Sequence, residues 1–322
     1  MKKLIHISAA ILFMLTLFSC GKKIDSSVWL SNLEEGKKAA SVEQKKILLF
    51  FSEDERDGKS KNLKEKIFNT EDFINKYTED YVLVNLDISN SRYQNDQEGI
   101  KRDLRAFDLY NADSTPYFLI LSAEGYVIDK LVFDAESDLN AARIAFDGAK
   151  DSIQNFEDLL AKVKSGKKEE KLDAINKIFD MTSPELAYHL RDLNKKYLAL
   201  DKKNETGECL KHLIAIAYAN AQDFLLDDQV EKAGDEFIKL TKNKILNQDD
   251  LQMAFYTAAY ILGSSGSQNY EKILSYLQQS YDMNPESDAA NNIMNALNQV
   301  KMIVEGKVEE SESQPQAEGS AE

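Results

Sequence analysis

Lys45-Lys46-Ile47-Leu48-Leu49-Phe50-Phe51 sets five consecutive apolar residues behind a lysine pair and ahead of the acidic Glu53-Asp54-Glu55. A run so short and unbroken fills a strand covered on both faces. On its N-terminal side, residues 28–40 carry Trp29, Leu33 and Ala40 at helical spacing. On its C-terminal side a charged loop leads into a helical stretch with Leu63, Ile67 and Phe68 on one face. Thr70 is placed to cap a short helix bearing Phe73, Ile74 and Tyr77. Residues 81–87 (YVLVNLD) read as a second strand, and Ile100, Leu104 and Phe107 mark an amphipathic helix. Residues 117–121 and 126–133 read as strands around the turn Ala123-Glu124-Gly125, and a helix over 138–163 closes the unit. The order βαβαββα predicts a parallel strand pair with a hairpin added at its side.

Beyond Gly166 no strand pattern survives. Leu172, Ile175, Ile178 and Phe179, then Leu186, Leu190 and Leu193, then Leu210, Ile214 and Tyr218 recur at three and four positions, and the pattern continues to Tyr281. This predicts an all-α domain of helical hairpins. Residues 270–287, ending Tyr281-Asp282-Met283-Asn284-Pro285, resemble the second helix and closing turn of a tetratricopeptide repeat. The predicted layout is a leader over 1–19, a spacer over 20–27, an α/β domain over 28–165 and a helical domain over 166–305. An acidic tail over 306–322 with no apolar face is expected to be disordered.

The first twenty residues have the pattern of a lipoprotein signal. Lys2 and Lys3 precede an apolar stretch that ends Leu17-Phe18-Ser19-Cys20. Cleavage before Cys20 and lipidation of its thiol and amine, with acyl chains such as palmitate, predict an envelope protein held to the inner or outer membrane. Each buried methylene contributes about 0.8 kcal/mol to that attachment. The formal charge of −15 becomes −17 once Lys2 and Lys3 are removed, leaving 38 basic against 55 acidic residues. That excess argues against nucleic-acid binding. With Cys20 lipidated, Cys209 is the last thiol, so neither an intrachain disulfide nor a cysteine zinc site is expected. His189 and His212 are the only histidines after the leader, and no metal or cofactor is expected.

Trp29, Leu33-Glu34-Glu35, Lys37-Lys38-Ala39-Ala40 and the strand at 47–51, followed by residues 82–87, Thr115-Pro116-Tyr117 and the turn at 121–126, resemble the thioredoxin-like proteins of bacterial envelopes. The resemblance covers about a third of the chain. It implies a cis-proline at Pro116, beside the place where such folds hold extended peptides. It also implies that a Cys-x-x-Cys pair, where present, would fall at Asp57-Gly58-Lys59-Ser60. No thiol stands there, and the carboxylate that many thioredoxins bury on the first strand is missing from 47–51. Dithiol exchange is thereby excluded.

Other motifs resolve to plain readings. Gly58-Lys59-Ser60 ends like a phosphate-binding loop, but Glu53 stands where that loop needs glycine, and its acidic neighbours repel phosphate. The loop 53–57 lacks the ligand spacing and turn glycine of a calcium-binding hand. Cys209 and His212 share a helical face, yet the thiol sits in an amphipathic run where lone cysteines pack. Thr115, Pro116 and Tyr117 form the expected peptide groove. The reading is a lipid-anchored, non-enzymatic protein that binds an envelope protein or peptide. Its alternative is an auxiliary or monothiol oxidoreductase using Cys209.

Overall fold

The computed structural model describes residues 28–53 and 58–306. The leader, Cys20, Asp57 and residues 307–322 lie outside the described residues.

The run at 47–51 is the core of strand β1 (Lys46–Ser52), buried from Ile47 onward. β1 pairs in parallel with β2 (Tyr81–Asp87) and antiparallel with β3 (Tyr117–Leu121), and β3 turns back into β4 (Val127–Leu131). The sheet order is β2-β1-β3-β4, the parallel pair with a lateral hairpin that the element order predicts. Gly125 makes the hairpin turn at φ 93°, a conformation that costs glycine nothing.

Alternate residues of β1 serve two cores. Leu48 and Phe50 face Leu63, Phe68, Phe73 and Phe118; Ile47, Leu49 and Phe51 face Leu33, Ala40, Tyr110 and Tyr117. On the first face Phe50 stacks on Phe118 with ring centroids 4.2 Å apart. On the second, helix α1 (Leu33–Glu43) lies so close to β2 that a Cβ on Gly36 would sit 2.4 Å from Val84 Cγ2.

Two helix boundaries differ from the sequence reading. Residues 28–30 do not join α1. Leu30 bridges to Val84 of β2, and Asn32 caps the helix by accepting from the amides of Glu34 (2.9 Å) and Glu35 (3.3 Å). Trp29 packs on the opposite face of the sheet from α1, against Phe50 and Phe68, so its helical spacing from Leu33 does not reflect a shared helix. The expected helix over 138–163 is two, α6 (Leu139–Gly148) and α7 (Lys150–Ser165), broken after Gly148. The crossover from β1 to β2 runs through α2 (Gly58–Leu63), one π-helical turn (Lys64–Phe68) and α3 (Glu71–Tyr77). From β2 to β3 it runs through α4 (Asn90–Asn95), which the sequence reading did not contain, and α5 (Gln97–Leu109).

From residue 168 the chain is helical: α8 (Lys168–Met181), a 3₁₀ turn (Pro184–Leu190), α9 (Arg191–Leu200), α10 (Cys209–Leu226), α11 (Val230–Leu240), α12 (Gln248–Ser264), α13 (Tyr270–Met283) and α14 (Ala290–Val304). α10 to α14 pack each against the next. Gly234 lets α11 approach α12 closely, since a Cβ there would meet Leu262 Cγ at 3.1 Å. The end of α13 is tied to α12 by Gln252, whose Nε2 donates to the carbonyls of Ser280 (3.1 Å) and Asn284 (2.7 Å). The change of class at Gly166 is not a break in the core. One apolar cluster runs from Leu48 of β1 through Phe156 of α7 and Ile175 of α8 to Tyr197 and Cys209.

Candidate functional site

At the end of β1 the chain reaches the place where the thioredoxin-like resemblance puts a reactive dithiol. Gly58 and Lys59 begin α2 and are exposed, whereas Ser60 is buried and its Oγ accepts from the amide of Glu53 at 3.3 Å. Ser60 therefore pins the strand-to-helix loop. Beneath it, Ser52 Oγ donates to Asn85 Oδ1 (2.8 Å) and accepts from Lys64 Nζ (2.9 Å), and that ammonium lies 5.5 Å from the centre of the Phe50 ring. Ser52 is fully buried, so this chain of bonds ties β1, β2 and the first crossover helix together. Sequence reading did not single out Ser52, Lys64 or Asn85; a polar residue closing an apolar strand was the available signal.

The Thr115–Pro116 peptide bond is cis. Tyr117 pairs with Phe51 across β1 and β3, and extending that register by one residue places Pro116 beside Ser52. The strand end, the α2 N-terminus and the cis-proline thus meet at one edge. Tyr117 does not open onto it. Its ring is buried with Leu119 and Leu121 on the α1 side of the sheet, its hydroxyl donates to Asn111 O at 3.4 Å, and Lys130 Nζ lies 4.1 Å from its centroid. Strand alternation fixes that direction, so the expected groove loses its aromatic wall.

Cys209 is the first residue of α10 and is buried; its thiol donates to Asp201 O at 3.2 Å. Burial raises its pKa, and the nearby Asp201 carboxylate raises it further, against the direction that activates a thiol. His212 makes no thiolate pair with it. The two ring nitrogens of His212 lie 2.8 Å from the side-chain amides of Asn194 and Asn176, and the ring stacks on Tyr197 at 3.9 Å. Burial lowers the His212 pKa to about 4, so the ring is neutral and has one donor and one acceptor. Asn176 presents its oxygen, since its nitrogen donates to Tyr197 Oη at 3.3 Å. Asn194 must then turn its nitrogen toward Nδ1, which also gives that nitrogen the partner it otherwise lacks.

A wide concave surface lies elsewhere, where the sheet domain meets the helices. A groove of about 950 Å³ is floored by Ala215, Ala219 and Ile261 of α10 and α12, and walled by Tyr218, Met253, Tyr256 and Tyr260. Asp108 and Asn111, at the end of α5, and Glu185 and Tyr188, in the 3₁₀ turn, form the opposite rim. Sequence reading placed Tyr218 among core positions, yet it is 53% exposed, as are Met253 (46%) and Tyr260 (62%). The available signal was composition: residues 209–226 and 251–264 are apolar nearly all round, more than one buried stripe requires.

That opposite rim is fixed to α10 and is held together internally. Asp223 of α10 accepts from Tyr188 Oη (2.7 Å) and pairs with Arg191 (2.6 Å) and with Arg105 of α5 (3.3 Å). His189 Nε2 donates to Leu109 O at 2.9 Å while its ring stacks on Tyr110 at 3.9 Å. Burial lowers the His189 pKa to about 4 and keeps the ring neutral. Among the described residues no group of three or more histidine, cysteine or acidic side chains is gathered to hold a metal ion. No helix among them is long and apolar enough to cross a membrane.

The comparisons with known proteins fall on the same two parts. A family model described as a thioredoxin-like domain matches residues 33–134, and one described as an uncharacterised protein C-terminal domain matches residues 209–306. The chain is an N-terminal thioredoxin-like α/β domain with a four-stranded sheet, followed by an all-helical region of about seven helices. An uncharacterized protein of Treponema pallidum (strain Nichols) is 22% identical over 222 residues, which cover 68% of this chain and 73% of that protein. Among solved structures, a DsbH oxidoreductase is similar at 14% identity and a TM-score of 0.34, over 41% of this chain and 94% of that one.

Proposed function

We propose that this chain is an extracytoplasmic protein, anchored by lipid on Cys20, that binds a protein or peptide partner without thiol chemistry. The observation that carries the reading is the strand-to-helix junction. Where a redox member of the fold needs an activated thiol, the sequence supplies Gly58, Lys59 and Ser60, and the space beneath is filled by the Ser52–Asn85–Lys64 bonds. The lipid anchor rests on the signal pattern alone, which lies outside the described residues. The oxidoreductase reading needs Cys209, and a buried thiol with a raised pKa weighs against it.

Site-specific photocrosslinking on intact cell envelopes tests the binding reading. The full-length chain carries a photoreactive phenylalanine analogue at Lys59 or at Met253, both exposed. A discrete protein or peptide adduct at either position supports binding. Adducts to lipid alone at both positions would remove it.

A further inference from the structure

The groove between α10, α12 and the end of α5 combines three features of a recognition surface. Its floor is apolar, its exposed walls are tyrosine and methionine, and its rim bears carboxylates. Asp108 and Glu185 are both exposed, and neither has an ion-pair or hydrogen-bond partner among the described side chains. The cation that lines the groove, Lys211, is already held at 3.0 Å by both Asp180 and Glu208. The charge left to the groove is therefore negative. Tyrosine faces add to that preference, because an aromatic ring attracts a cation placed over it.

The dimensions favour an extended chain. The groove follows α12 from Met253 to Ser265, twelve residues on. At about 1.5 Å per helical residue that is about 18 Å, which an extended peptide of about five residues spans. The acidic tail is a poor occupant: residues 307–322 carry five glutamates, one lysine and a single large apolar side chain, Val308. Like charge at the rim would repel it.

We infer that this groove holds an extended peptide segment of a partner protein, apolar along its length, with a lysine or arginine directed at Asp108 and Glu185. The inference rests on the binding reading above and assigns its place and its ligand chemistry. Tyr218, Met253 and Tyr260 supply the apolar contact, and the Asp223 cluster holds the acidic rim against α10 before the peptide arrives.

Two pools of fluorescein-labelled nonamers, identical in Leu, Ile and Phe content and differing only in a central Lys or Glu, test this by fluorescence polarisation against the full chain. The lysine pool is expected to bind about tenfold or more tighter than the glutamate pool. The double variant Asp108→Asn/Glu185→Gln is expected to erase that preference. Met253→Ala/Tyr260→Ala, at exposed positions that leave the fold intact, is expected to weaken both pools about tenfold. Binding that ignores both double variants would overturn the groove assignment and leave the binding reading standing. No binding of either pool, at concentrations where the protein still yields a crosslinked envelope partner, would overturn the peptide assignment alone. Sedimentation with phosphatidylglycerol vesicles that depends on Met253 and Tyr260 would give the face to a lipid surface and overturn the inference as well.

Discussion

Replacing Asp223 by alanine removes the carboxylate on which the junction of the two parts converges. Three donors lose their acceptor at once: Tyr188 Oη, Arg191 and Arg105. A hydrogen bond to a charged group contributes about 1.5–3 kcal/mol when desolvated, and an exposed ion pair about 0–1 kcal/mol. The Asp223 side chain is 30% exposed, so each contribution is scaled toward the lower range. Taking about 1 kcal/mol each for Tyr188 and Arg191 and at most about 0.5 for the longer Arg105 contact gives about 2–2.5 kcal/mol. In a chain of this size that corresponds to a fall in Tm of about 3–4 °C by calorimetry. The pH dependence adds a second constraint. Burial pushes the Asp223 carboxyl upward, but bonds from Tyr188 and Arg191 outweigh it and hold the pKa below the ordinary value. Its stabilisation is then complete above the unfolded value of about 3.9 and fades as pH falls through the lower folded value. The gap between the two proteins should persist from pH 7 to 5 and close below about pH 4. Asp227, 49% exposed and bonded to Arg105, is the control, with an expected cost under about 1 kcal/mol for Asp227→Ala. A shift for Asp223→Ala of less than a degree, or one equal to that of Asp227→Ala, would refute the clamp.

Gly36→Ala should cost about 1–3 kcal/mol in urea unfolding, since its Cβ would meet Val84 Cγ2 at 2.4 Å, and adding Val84→Ala should recover part of it. His189 and His212, held neutral with pKa values of about 4, should make the fold less stable as pH falls from about 6.5 toward 4. Between those values the unfolded chain binds the extra protons, at up to about 1 kcal/mol per pH unit for each ring. An NMR titration placing either native imidazole near 6.5 would contradict this. The Cys209 thiol should react with a maleimide in urea but at least about a hundredfold more slowly in the folded protein, because burial both hides it and raises its pKa.

The sheet was legible because each strand announces itself locally. Residues 47–51 and 81–87 are too continuous in apolar character to be anything but interior strands, and Gly125 marks the hairpin. The entry to α1 was not legible, since Trp29 and Leu33 keep helical spacing while lying in different structures. Tyr117 was misread for a related reason: its neighbour Pro116 is at the surface edge, but strand alternation turns the tyrosine inward. The groove escaped altogether. Its walls come from residues as distant as Asp108 and Tyr260, and a tyrosine on an apolar helix looks the same in sequence whether it fills a core or lines a cleft. Cys209, by contrast, read correctly as a packing residue, since a small apolar side chain in an amphipathic run has an interior to fill.

Insulin reduction, followed as turbidity with dithiothreitol as the electron source, asks most directly whether this thioredoxin-like frame has kept the chemistry of its fold. The full-length protein and Cys209→Ser should both give the rate of dithiothreitol alone, because neither presents an accessible thiol at the β1–α2 junction. A rate clearly above that background in the wild type, abolished by Cys209→Ser, would contradict the binding role and make the buried thiol the centre of the protein's activity.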